Sequence, residues 1–282
     1  MGKGSNFGFT QSLNKESVIR LAVIAGLIII SYIPTLIWMV ERWTAKDTYY
    51  SHGFLVPFIS LYLVWQKRPV LSKIKPQPLA KGWIVFAAGT LIHIISALWR
   101  VYFTSGFSIL LVISGLILIF LGKEFLKKLI FPVLFLIFMI PLPLVAIANL
   151  SFKLKILAAQ LSTVIINKLG VPAIRDGSVI KTMNSYIIVE DPCSGIRSLI
   201  ALIALGALMA YNSSLPVIKK YILFVSAVPV AIAGNVIRIV ALSLASEMYG
   251  SKLAAGLFHT VMGVVVFVFA FFALLLIGKV LE

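Results

Sequence analysis

Cysteine is almost absent from this chain: Cys193 is the only one in 282 residues. A single thiol excludes an intramolecular disulfide, which suits a nucleophile exposed to an oxidising compartment. Acids are scarce as well, nine Asp and Glu against 25 Lys and Arg, for a net charge of +16. Charged residues make up 12% and apolar residues 61%, whereas a soluble domain is about a quarter charged and about half apolar. That balance excludes an ordinary soluble domain. The chain also lacks an internal repeat, a low-complexity tract and a separable soluble domain. No small-residue cleavage site lies in "ERWTAKD" after the first apolar run, so that run reads as a retained span and not a signal peptide.

What is present is long apolar sequence. A helical span of the hydrocarbon core needs about 20 mostly apolar residues, and eight segments answer that description: 18–40, 53–66, 82–99, 106–122, 129–149, 193–211, 217–236 and 256–278. The expected fold is an all-α polytopic membrane protein of about eight transmembrane helices, one integral membrane domain over 1–282. The basic residues orient it. Lys67, Arg68, Lys73, Lys75 and Lys81 follow the second span, Lys123, Lys127 and Lys128 the fourth, and Lys219 and Lys220 the sixth. With Lys3, Lys15, Arg20 and Lys279, 14 of the 25 basic residues share one side with only Glu16, Glu124 and Glu282. Short cytoplasmic loops retain Lys and Arg, which predicts N-in, C-in topology. The basic excess is then a topology signal beside anionic lipid, and no nucleic-acid partner is expected.

That topology collects particular residues on the outer face. The first outer loop leads into "YYSHGF", with Tyr50 and His52. The longest outer insertion, about 150–192, begins with "FKLKILAAQLSTVIINKLG", where Leu154, Leu157, Leu161, Val164 and Ile165 fall near helical spacing. An amphipathic helix lying on the membrane is expected there. Two β-branched runs around "RDGS" predict a small β-hairpin before the sixth span. It ends at "EDPCSG": Asp191 is a plausible helix cap, Pro192 suits the first helical position, and Cys193 then falls in the first turn. A helix N-terminus and nearby cations favour a thiolate, while Glu190 and Asp191 oppose it. Arg197 stands one turn on from Cys193. Asn235 and Arg238 share a face at the outer end of span seven, and His259 heads span eight. Cys193, Arg238 and His259 therefore reach one membrane level from three spans.

Each residue has a plainer reading. A lone cysteine is commonly an inert hydrophobe. His259 and His52 could be interfacial anchors, Arg238 and Arg197 could snorkel to headgroups, and Asn235 could bond a neighbouring helix. His93, mid-span, reads as a buried, hydrogen-bonded residue. For the cysteine, arginine and histidine together the functional reading prevails.

The chain resembles the exosortase/archaeosortase membrane transpeptidases through "YSHGFLVPFISLYLVW" at 50–65, "RDGSVI" at 175–180, "CSGIRSL" at 193–199, "NVIRI" at 235–239 and "HTVMG" at 259–263. The resemblance implies a catalytic Cys193, Arg238 and His259. Histidine in the third position is similar to the bacterial exosortase branch, whose substrates are exported proteins with a C-terminal sorting signal of the PEP-CTERM type: a short motif, a transmembrane helix and a basic tail. Many relatives belong to exopolysaccharide gene sets. Some carry a soluble C-terminal domain, which is not expected here. What the resemblance implies is cleavage at the periplasmic face of the cytoplasmic (inner) membrane through a Cys193 thioester, with transfer of the new C-terminus to an acceptor, a lipid or glycan being candidates. Ser194, Gly195, Arg197, Asn235, Tyr50 and His52 are expected to support the site or bind substrate; no metal or organic cofactor is expected. Simple hydrolysis uses the same residues. A transporter or lipid flippase would place ionisable groups at mid-membrane, as the Pro-interrupted "MIPLPL" at 139–144 could allow, but the charges cluster at the boundary.

Overall fold

The computed structural model describes residues 15–45, 48–189, 195–250 and 257–282. Cys193 and Ser194, with Glu190, Asp191 and Pro192, lie outside the described residues. The chain divides into two compact units, Met1–Ala45 with His52–Pro141, and Lys46–Ser51 with Leu142–Glu282.

The first unit is helical: α1 (Lys15–Thr44), α2 (Leu55–Leu71), α3 (Gly82–Leu98), α4 (Tyr102–Phe120) and α5 (Lys123–Phe135), closed by a 3-10 turn at Leu136–Met139. Backbones pack closely where side chains are small, as expected without a hydrophobic drive between helices in lipid. A Cβ on Gly115 would lie 2.6 Å from the Phe86 nitrogen, and one on Gly89 would lie 2.9 Å from Leu111 Cβ, so α3 and α4 meet at glycine. Polar residues join these helices to α1. His93 is buried and stacks on Tyr32 at 3.8 Å. Its Nδ1 bonds the Ser105 hydroxyl at 2.8 Å, Ser105 bonds Thr35 at 2.6 Å, and Tyr32 bonds Ser108 at 2.6 Å. His93 is thus the buried, hydrogen-bonded residue expected.

The expected fifth span, 129–149, is corrected: it is two elements. Pro141 and Pro143 lack an N–H, and each pushes the residue before it out of the helical region. Ile140 is extended (φ −86°, ψ 113°), and a new helix opens after Pro143. Backbone exposed by such a break needs partners, because lipid supplies none. Trp43 Nε1 donates to the Met139 carbonyl at 2.8 Å.

The second unit contains α6 (Leu144–Lys168), β1 (Ala173–Asp176), β2 (Val179–Thr182), β3 (Tyr186–Ile188), α7 (Ile196–Asn212), α8 (Val217–Tyr249) and α9 (Leu257–Leu281). The separate surface helix expected near 150 is instead part of one unbroken 25-residue helix, α6. Its small residues Ala158, Ala159 and Ser162 are buried in packing against α8, while Leu157, Leu161, Val164 and Ile165 stay exposed. The hairpin is present: Asp176 pairs with Val179 across Gly177 and Ser178, with Gly177 at φ +59°. A third strand, β3, extends it to an antiparallel β1-β2-β3 sheet. Ile180 and Val189 bury their side chains in one core with Ala159, Ile166, Val236 and Ile239.

Two helix bounds differ from expectation. α7 begins at Ile196 after Gly195, whose carbonyl accepts the Leu199 N–H at 2.9 Å, and the Asp191 cap expected upstream lies outside the described residues. α8 continues past 236 to Tyr249, 33 residues or about 50 Å at 1.5 Å each. Among the described residues five helices are long and apolar enough to cross a membrane (α1, α4, α6, α8 and α9), and α3 and α7 are shorter apolar helices.

Candidate functional site

Three elements of the second unit meet at one end. α7, α8 and α9 share a core of Leu199, Leu202, Ala227, Ala231, Ala270 and Leu274, and α8 and α9 run antiparallel, since Lys219 near the start of α8 donates to the Leu281 carbonyl. The N-termini of α7 and α9 therefore face the later half of α8. Asn235 and Arg238, three residues apart, present one face of α8 to them.

Gly195 occupies the left-handed region at φ +79°, which glycine enters without steric cost. A Cβ there would lie 2.7 Å from Asn235 Cγ, so only hydrogen fits between the α7 cap and the buried Asn235 side chain. Behind them is a recess of about 10 Å³ lined by Leu154, Leu199 and Ile232 among others, at the lower limit for one water.

One helical turn along, Arg238 is half-buried and reaches α9. Its Nη2 lies 2.9 Å from His259 Nε2 and 3.4 Å from Nδ1. A guanidinium can only donate, so the imidazole nitrogen it meets acts as acceptor. Gly263, one turn after His259, lies against the guanidinium: a Cβ there would make ordinary contact, 3.4 Å from Arg238 Cζ. The site thus holds a permanent cation against a proton carrier, with a buried carboxamide beside them. Such a set can stabilise a developing anion and move a proton.

The structure joins Gly195, Asn235, Arg238 and His259. Arg197 is exposed on the first turn of α7. Tyr50, in the second unit, is buried; it receives the Leu142 N–H at 3.1 Å, and burial raises its pKa, partly offset by that bond. Its partner is the backbone between Pro141 and Pro143. His52, in the first unit, sits in the turn before α2. Burial lowers its pKa, against a hydrogen bond to the Phe138 carbonyl. Both residues serve the irregular backbone that the prolines create.

Two participants were not read from the sequence. Gly263 lies within "HTVMG", and its contact with Arg238 depends on helix packing; its legible sign is the i+4 spacing from His259. Glu247, near the end of α8, accepts hydrogen bonds from Thr182 Oγ1 (2.5 Å), Asn184 Nδ2 (2.8 Å) and the Asn184 N–H (3.2 Å). It ties the β2–β3 turn to the helix that carries Arg238. Its sign in sequence is an acid closing a long apolar helix.

A family model described as a transmembrane exosortase matches residues 42–276. No curated protein and no solved structure matches the chain.

Proposed function

The chain belongs to the transmembrane exosortase family and is a multi-pass membrane protein of transpeptidase type, and from that premise we propose that Cys193, Arg238 and His259 form its catalytic set. The observation carrying this reading is the 2.9 Å contact between Arg238 and His259, with Asn235 held against Gly195 one turn away. Gly195 lies two residues from Cys193 along the chain, and two residues extend at most about 7 Å. That short tether is what supports counting the sole thiol with the Asn235–Arg238 face.

The chemistry follows from the residue types. Cys193 passes its thiol proton to His259 and attacks the scissile carbonyl as thiolate, and Arg238 stabilises the oxyanion. The tetrahedral adduct collapses to a thioester as His259 protonates the departing amine. His259 then takes a proton from the acceptor nucleophile, which attacks the thioester and releases the thiolate. Arg238 stays protonated throughout, so it is no base. The contact seen here makes it a clamp that holds the imidazole as well.

The substrate we assign is an exported protein with a C-terminal sorting signal: a short motif, a transmembrane helix and a basic tail, of the PEP-CTERM type. Arg238 stands 21 residues, about 32 Å, along α8 from Val217, close to the hydrocarbon thickness of about 30 Å. With Lys219 and Lys220 on the cytoplasmic side, this supports a reaction at the opposite boundary, the periplasmic face of the inner membrane. A lipid or glycan is the acceptor class we assign.

The test is co-expression with a tagged protein bearing such a tail. Wild type should shorten it and Cys193→Ala should not; persistent cleavage in Cys193→Ala sinks the reading. Mass analysis of the new C-terminus separates transfer from hydrolysis. A membrane-impermeant maleimide should label Cys193 in intact cells, and labelling only after lysis would reverse the orientation.

A further inference from the structure

The proposed chemistry uses nothing in two recesses of the first unit, about 620 and 670 Å³. They share Val64 and Leu129, so they adjoin along α2 and α5 and are taken together as one slot. These helices are antiparallel: Ser60 donates to the Pro132 carbonyl at 2.8 Å, and Leu71 packs on Phe125 and Leu129. The walls are aliphatic and aromatic. Apart from Arg68 at one end, the polar groups among them are engaged elsewhere, Ser60 with Pro132, Ser72 with Pro69, Tyr32 with Ser108 and the Trp43 indole with Met139. A recess without available polar partners stays dry and takes hydrocarbon.

We propose that this slot binds an anionic bilayer phospholipid, with an acyl chain along α2 and its headgroup at Arg68. Length supports it. From Pro57 at one end of the slot to Arg68, where the headgroup is assigned, α2 rises about 16 Å, and the lining continues to Leu71 and Ser72. One leaflet of a core of about 30 Å is about 15 Å deep. Charge supports it too. Arg68, whose Cζ is 4.9 Å from the centre of the Trp65 ring, lines the end of the slot where α2 finishes and α5 begins. The connections there hold Lys67, Arg68, Lys73, Lys75, Lys81, Lys123, Lys127 and Lys128, with Glu124 as their one acid, already paired to Lys127 at 2.7 Å. Such a mouth attracts a phosphate and repels the basic tail of a transmembrane peptide, which is the competing occupant. The proposal does not depend on the catalytic assignment.

Native mass spectrometry of the full-length protein, titrated with phosphatidylglycerol and phosphatidylcholine of identical acyl chains, tests it. Phosphatidylglycerol should be retained in preference. Arg68→Gln should reduce that retention about fivefold, the effect of one basic group at the membrane surface, and leave phosphatidylcholine unchanged. Lys75→Gln, exposed on the same side but outside the slot, should change neither. Leu61→Trp, at an exposed lining position, should reduce retention of both lipids. Equal retention of the two lipids overturns the site, as do equal losses from Arg68→Gln and Lys75→Gln. Displacement of phosphatidylglycerol by a basic-tailed transmembrane peptide would assign the slot to that occupant instead.

Discussion

His93 and His259 both stand on apolar helices, yet their neighbours give them different chemistry. His93 is enclosed by hydroxyls and a stacked tyrosine, with Ser105 at Nδ1 and the Ser31 carbonyl 3.2 Å from Nε2. Every contact is to a neutral group, and the network ties α1, α3 and α4 together. His259 meets a guanidinium that cannot give up its charge, at the first turn of its helix. The same side chain is helix-to-helix glue in one unit and part of a charged constellation in the other. A polar residue in an apolar helix is therefore judged by the charge and position of its partner, and not by its burial.

The sharpest way to break that contrast is at Arg238. Arg238→Lys keeps the charge but loses the planar fork that meets His259, and cleavage of a matched substrate should fall about 100- to 1,000-fold, the range for an oxyanion donor. Near-normal cleavage would put Arg238 on the same footing as the His93 hydroxyls. Gly195→Ala comes next. Left-handed geometry costs an alanine about 1–2 kcal/mol, and its Cβ would press on Asn235. Thermal unfolding in detergent should drop accordingly, and cleavage should fall further than stability explains.

Ser105→Ala is the complementary change. It removes the hydroxyl shared by His93 and Thr35 and should cost about 1 kcal/mol, as interhelical hydrogen bonds in membranes do. Cleavage per folded molecule should not change; a large loss there would mean the network serves the reaction. The smallest effect concerns His52. Its folded pKa lies below the ordinary 6.5 because burial disfavours the charged form. Between the two values the unfolded chain binds the proton, so stability should decline as pH falls below about 6.5 and be flat above it. His52→Gln should remove that slope in melts taken between neutral pH and about pH 5.

Much was legible in sequence where the cause is local. Apolar runs reported the helices, Gly177 after "RD" reported the hairpin turn, and the basic stretch at 67–81 marked one end of the bundle. The proline pair at 141 and 143 carried the break that divides the expected fifth span, but its weight against an apolar run of twenty residues was misjudged. The span expected at 217–236 stops short of Arg238 and Glu247, charged residues that are costly in lipid. Each is satisfied by a partner from another element, and α8 continues.

By itself the sequence determined the membrane class, the order of helices and the residues with chemistry to offer, because hydrophobic length and side-chain type are properties of single segments. The meeting of Arg238 with His259, the fit of Gly195 over Asn235 and the Glu247 clamp on the β2–β3 turn were decided only in three dimensions. Those contacts depend on how α7, α8 and α9 cross, and crossing is set by which small residues let backbones approach. Tyr50 and His52 make the same point in reverse. Their motif reads as a site, and the contacts seen for both are to backbone beside the two prolines.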